Sequence, residues 1–473
     1  MADALELDDI QGLVARGYGR LPHAAYLLAH VEEPTAAGEL LRGWAEDGTV
    51  TPASESRPSR AMNIAVTADG IRTLTGTTEL DDGFAEPFLT GMATAYRSRL
   101  LGDVGANDPA GWQWGGPGTD PVHVLVLVYA ADAEALATWA ADLVSALAGH
   151  GMRLLLTLPA AELTAREPFG FRDGISQPLI AGLGSAQREG DVVRDGEFVL
   201  GYVNEYSQRT ERPLLPTSAD PDRLLPRDPD GSGSADLGRN GSYLVFRQLQ
   251  QDIDGFENYL SRAATVDGHV DKTMREVLAA KLVGRWRGSG APLVLAPEYD
   301  DQALEAANDF GYHQLDPQGL RCPVGAHIRR ANPRDVLPPN PGTQESRAVN
   351  HRHRLLRRGR AYTTTDETGA ATEHGLFFLC LNTNPARQYE FVQHSWVNDP
   401  SFNGLVGVED PLVGPRTNGP GRFDVPSEPV RRRFEGLPQF VTVRGGGYFF
   451  LPGIRALRFL TSTPPPQRRE EAR

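Results

Sequence analysis

Cysteine is nearly absent: Cys322 and Cys380 are the only two in 473 residues, which excludes a disulfide framework and a four-cysteine metal site. Lysine is as scarce, with Lys272 and Lys281 alone, so almost all positive charge is arginine, which does not titrate and suits fixed anion contacts. A basic excess is lacking too. Forty-seven Lys and Arg against 61 Asp and Glu leave a formal net charge of -14, without the broad basic surface that a nucleic acid requires. No run approaches the ~18 apolar residues of a membrane span. The acidic start MADALELDDIQG carries neither a basic leader before an apolar stretch nor a twin-arginine signal. The expectation from these absences is a reduced, soluble, cytoplasmic protein with no nucleic-acid or membrane partner.

What is present is a repeated plan. Four segments read as an apolar strand, a short polar break and an amphipathic helix, beginning at His23, His123, Tyr243 and Gly375. AMNIAVT from Ala61 and MRLLLTL from Met152 add two strands to the first half. Its order becomes strand, helix, strand, strand, helix, strand, that of a ferredoxin-like unit. The second half fits the same frame, with APLVLAP from Ala291 taken as its second strand and YFFLPG from Tyr448 as its last. The fold class expected is therefore α+β, two ferredoxin-like halves that pack face to face or close into one barrel. Domain limits are set at 1–190, 191–463 and a flexible tail 464–473. The Pro-, Gly-, Asp- and Arg-rich stretches 212–240 and 311–374 read as long loops, which in a compact protein are usually functional or disordered.

Two loops carry candidate chemistry. In EPFGFRDGISQP, Asp173 stands between Gly170 and Gly174 with Phe169, Phe171 and Ile175 nearby, where an ionised carboxylate loses hydration. Of eight Asp-Gly pairs in the chain, only this one has a glycine three residues before its aspartate. In GLRCPVGAHIRRANPRD, His327 is surrounded by Arg321, Arg329, Arg330 and Arg334. Imidazole is a common metal ligand and arginine clusters suit carboxylates, and a haem would use both, through its iron and its propionates. The plainer reading is a solvated arginine-rich loop with an incidental histidine. No Cys-x-x-Cys-His exists for covalent attachment, and a thiolate ligand from Cys322 or Cys380 is poorly supported because Cys380 lies in the apolar strand GLFFLCL. A third cluster, HRHRLLRRGRAYTTTDE from His351, reads as a surface charge run from which one arginine is directed inward.

PFGFRDGISQP resembles the G-x-x-D-G signature of the dye-decolourising peroxidases. CPVGAHIRRANPR is similar to that family's proximal haem-ligand segment, RLLRRGRAY to the segment with its distal arginine, and GLFFLCLNTNPARQYEFVQ and GGGYFFLPG to its closing strands. DIQGLVARGYG also fits, so the resemblance spans nearly the whole chain in the expected order. It implies a dimeric α+β barrel fold with one non-covalent haem b in the second half. It further implies His327 as the axial iron ligand, Asp173 as the distal acid–base group and Arg357 as the distal cation, with Arg354, Arg358 and Arg360 as neighbouring choices. Arg329, Arg330 and Arg334 are the first places to look for propionate partners. Hydrogen peroxide and an organic electron donor are the implied partners, and the sequence leaves oligomerisation open.

The chain departs from the family before its last strand, where many members carry a carboxylate for the proximal imidazole. Gln439 stands there, with Asp424 or Glu390 as substitutes. Because an aspartate ordinarily titrates near pH ~3.9, an acidic pH optimum is expected. Trp286, Tyr312, Tyr389 and Trp396 are candidate relays for donors too bulky to enter, although each also reads as a packing residue. The competing readings are a haem carrier or iron-releasing protein and a haem-free binding module.

Overall fold

The computed structural model describes residues 3–184, 191–366, 368–417 and 419–462. The boundary proposed at 190 and the tail 464–473 fall outside them. One nine-stranded sheet organises the fold. From edge to edge it runs through Leu356–Arg357 and Arg360–Thr365, both paired with Ala371–Asn382, then Ser242–Gln251, Val441–Leu451, Arg60–Val66, Val124–Ala130, His23–Val31 and Met152–Pro159. In each half the spatial order is second, third, first, fourth, which is the ferredoxin-like arrangement twice over. The α+β class is the one read from the sequence.

A pairing between Phe450 and Val66 joins the two halves along one edge, and the amide of Ala161 donates to the carbonyl of Ala361 on the other side at 2.8 Å. The sheet thereby curls around a shared core. Tyr26 of the first half lies 5.6 Å from Phe246 and 5.5 Å from Phe377 of the second, ring centre to ring centre. Strand Val124–Ala130 is buried along its whole length because the inner face meets this core and the outer face meets helices. Helix Ala133–Gly149 shows why it forms there. Asp132 caps it by accepting from Ala135, and Trp139, Leu143 and Leu147 recur every four residues on the buried face. Gln11 ties the halves again, donating to the carbonyls of Ile64 and Pro452.

One strand expectation fails. Ala291–Pro297 is not a strand. Most of its apolar residues are buried, Leu293 and Val294 among them, but the amides of Leu295 and Ala296 fold back onto the carbonyl of Pro292. Prolines at 292 and 297 cannot donate to a ladder. The second strand of that half is the arginine-rich hairpin partner 356–365, whose charges hid it from an apolar search.

The stretch 212–240 is ordered by internal bonds. Buried Arg212 donates to Asp228 at 2.7 Å and Asp236 at 2.6 Å, and Leu214–Leu215 pairs with Ala235–Asp236. Removing one partner of such a buried cluster strands the others. Arg212→Leu is expected to cost about 3–5 kcal/mol of stability, read as a lowered denaturant midpoint at unchanged slope.

Candidate active site

Asp173, Arg357 and His327 come from segments far apart in the chain and border one cavity of about 310 Å³. Sheet residues Leu249, Leu376 and Phe378 give it one apolar wall, and helix His327–Ala331 gives another.

Asp173 sits on the turn between Gly170 and Gly174, whose φ values of 90° and 81° are ones that glycine adopts without strain. The phenylalanines do not enclose the carboxylate. Phe169 and Phe171 pack on Phe256 of helix Ile253–Ala263, with ring centres 4.6 and 6.5 Å away, and so anchor the loop. Asp173 itself is 45% exposed along its side chain and receives Arg357 Nη2 at 3.4 Å. The partners that folding supplies separate the arginines. Arg357 and Arg354 border the cavity, whereas Arg358 and Arg360 turn away to the carbonyls of residues 13–22. Arg354 is buried, paired with Asp191 at 3.1 Å and donating to the carbonyl of Ser176. Burial pushes its guanidinium down to about 10, against the pull of Asp191.

His327 opens its five-residue helix, and its side chain is 29% exposed because the ring meets the cavity. Its Nδ1 lies 2.9 Å from Oδ2 of Asp410, a fully buried carboxylate whose Oδ1 accepts the amides of Leu412 and Val413. Burial disfavours charge on the ring, yet Asp410 outweighs it and raises the His327 pKa. Burial likewise opposes the charge of Asp410, and His327 and Arg330 hold it below the usual carboxylate range. With Nδ1 committed to Asp410, Nε2 is the nitrogen left for another partner.

Asp410 replaces all three partners named from the sequence. Gln439 donates to Asn107 and the carbonyl of Val441, Asp424 pairs with Arg433, and Glu390 is bound by Arg97 and Tyr448. Each is satisfied elsewhere. Arg329 and Arg330 are corrected as well. Arg329 is consumed by Asp316 and the carbonyl of Cys322, and Arg330 by the carbonyls of Trp396, Val397, Asp399 and Val408. They clamp the His327 helix in place. Arg334 alone of the three reaches the cavity wall, near Ser176. Trp286, Tyr312, Tyr389 and Trp396 are each at most 6% exposed, so none offers a surface contact.

No protein-family model matches the chain. A dye-decolorizing peroxidase of Exidia glandulosa is 30% identical over 484 aligned residues, covering 96% of this chain and 87% of its own. The chain belongs to the dye-decolourising peroxidase family. It is a haem peroxidase, an oxidoreductase. A multifunctional dye peroxidase of an Amycolatopsis species is also 30% identical, over 84% of this chain and 82% of its own. The crystal structure of a fungal DyP-type peroxidase from Auricularia auricula-judae superposes with a TM-score of 0.78 at 25% identity, covering 98% of this chain and all of that one. A dye-decolorizing peroxidase complexed with 2,6-dimethoxyphenol superposes at 0.76, also with 25% identity, over 97% of this chain and all of its own.

The residues of this peroxidase fit a haem. The cavity is largely apolar, one imidazole nitrogen at its edge has no partner among the described residues, and Arg334 and Arg354, although bonded to Asn308, Phe310 and Asp191, place fixed cations at its wall for carboxylates. Neither cysteine suits a thiolate ligand: burial pushes Cys322 up to about 11 and raises Cys380 further. Among the functional residues, sequence reasoning missed Asp410 and the cavity position of Arg354. Nothing in GVEDPLVG marks Asp410, which is 83 residues from His327.

Proposed function

We propose that this peroxidase would hold haem b without a covalent link, with His327 Nε2 as the residue atom that would bind its iron, and that it reduces hydrogen peroxide while oxidising phenols or dyes. The observation that carries this reading is the meeting, at one cavity, of a histidine locked through Nδ1 by a buried carboxylate and of the Asp173–Arg357 pair. Bound haem supplies the redox centre at which the peroxide bond is broken.

The chain's own part is proton handling and charge. Asp173 takes the proton from one peroxide oxygen and returns it to the departing one. Arg357, a fixed cation within reach of that carboxylate, stabilises the negative charge that develops as the bond breaks. Asp410, bonded to Nδ1, raises the basicity of the His327 nitrogen that would bind the iron. Arg334 and Arg354 are the cations nearest to hand for haem carboxylates. The donor class follows from the relatives, whose names include dye peroxidases and one of which was solved with 2,6-dimethoxyphenol.

A haem carrier or iron-releasing protein needs no acid–base pair, so one experiment separates the readings. Haem-loaded protein mixed with hydrogen peroxide in a stopped-flow spectrometer is expected to change its spectrum rapidly, and 2,6-dimethoxyphenol is expected to restore it. Absence of a Soret band, or a band indifferent to peroxide, would refute the peroxidase reading.

A further inference from the structure

Asp173 makes few bonds of its own. Among the described residues its carboxylate accepts only Arg357, at 3.4 Å, and the amide of Gly174, at 2.6 Å. Its position is therefore set by what holds the turn on either side. Downstream, Gln177 accepts the amide of Arg357 at 3.0 Å and fixes the turn to strand 356–357. Upstream, the corresponding anchor is Glu167.

The Glu167 carboxylate accepts the amide of Phe171 through Oε1 at 2.8 Å and that of Phe169 through Oε2 at 3.0 Å. Oε2 also accepts Nε2 of Gln251 at 2.8 Å. Gln251 ends the strand that also carries Leu249 in the cavity wall. The backbone closes the same unit, since the amide of Glu167 donates to the carbonyl of Phe171 and that of Gly170 to the carbonyl of Glu167. Burial holds the Glu167 carboxyl above the usual carboxylate range in spite of its three donors, and the charge of Asp173 adds to the rise. A carboxyl group with every donor aimed at it sets the geometry of the turn, because among the described residues the two amides make no other hydrogen bond.

We propose that Glu167 is the positioning residue of the Asp173 turn, fixing where that carboxylate stands at the cavity by tying residues 169–171 to Gln251 of the central strand. The proposal rests on the acid–base reading of Asp173. Glu167→Gln preserves shape but turns an amide NH2 towards one of the backbone N–H groups, which loses its acceptor. A displacement of about 1 Å in a reacting group can cost about 100-fold in rate.

The test uses the haem-loaded protein carrying Glu167→Gln or Gln251→Leu, with Asp173→Asn in parallel. Three quantities are read: cyanide association with the ferric protein, in which a distal base takes the proton of HCN; the rate of reaction with peroxide; and hydrogen exchange of the 169–175 amides in the haem-free chain. Glu167→Gln is expected to slow both reactions about 10- to 100-fold per bound haem and to speed exchange of those amides, with Gln251→Leu acting in the same direction but less. Parent-like rates and exchange, with only a lower melting temperature, would overturn the proposal by reducing Glu167 to a stabilising residue. If Glu167→Gln does not fold, parent-like behaviour of Gln251→Leu overturns it equally. Should Asp173→Asn itself react like the parent, the acid–base reading fails, and accelerated exchange in Glu167→Gln still supports Glu167 as the anchor of the turn.

Discussion

His327→Ala yields a protein that folds but keeps no stable haem, seen as loss of the Soret band after gel filtration. The axial nitrogen is the one protein–iron bond proposed, so nothing replaces it. Folding survives because helix His327–Ala331 is held by other groups, the Arg330 guanidinium on five carbonyls and Arg329 on Asp316 and Cys322, and alanine is a good helix former. A companion change isolates the partner of the ring. In Asp410→Asn the remaining side-chain oxygen can still accept the amides of Leu412 and Val413, but the amide NH2 faces Nδ1 and favours the wrong tautomer. Haem affinity is expected to fall about 10- to 100-fold, measured by competition with a haem-binding protein. An unchanged Soret spectrum in His327→Ala would remove His327 from the iron.

The second large effect belongs to the pair across the cavity. Asp173→Asn should bind haem as the parent does and keep its turn, since asparagine sits well before Gly174. The proton acceptor is gone, and the reaction with peroxide should slow by about 100-fold or more. Arg357→Leu removes a preorganised cation and should cost about 100- to 1000-fold. Arg354→Leu should fail differently. It leaves the buried Asp191 carboxylate without its arginine, so the loss appears as about 3–5 kcal/mol of stability and weaker haem retention rather than as a slower reaction in the haem that remains. Stopped-flow rates per bound haem, set beside denaturant midpoints, separate the two arginines. If Arg354→Leu slowed the reaction and Arg357→Leu did not, the roles of the two side chains would be exchanged.

The sequence by itself determined the class of fold. The strand–helix plan repeated at His23, His123, Tyr243 and Gly375 is a local matter of apolar periodicity and caps, such as Asp132 before its helix, and those forces act before the chain has closed. It also marked the Asp173 turn and the His327 segment, because glycines at fixed offsets and a dense arginine run leave a signature in composition. The second strand of the second half was misread for the same reason. Apolar Ala291–Pro297 looked like a strand and charged 356–365 did not, although pairing with Ala371–Asn382 is what made the latter a strand.

Only the tertiary structure decided which partner each polar group takes. Gln439 stands where the family's carboxylate is expected, with Asp424 and Glu390 as substitutes, but each is satisfied by a neighbour that folding brings in, and Asp410 reaches His327 across 83 residues. Arg329 and Arg330 look from the sequence like anion binders, yet a buried guanidinium must satisfy its donors, and carbonyls close in space claimed them first. Long-range contacts then separated Arg354, held by Asp191, and Arg357, beside Asp173, from Arg358 and Arg360, which the carbonyls of residues 13–22 draw away, a choice that residue type cannot encode. Local sequence specifies which groups are available for chemistry, and long-range packing specifies where they point, because a hydrogen bond depends on distance and direction rather than on separation along the chain.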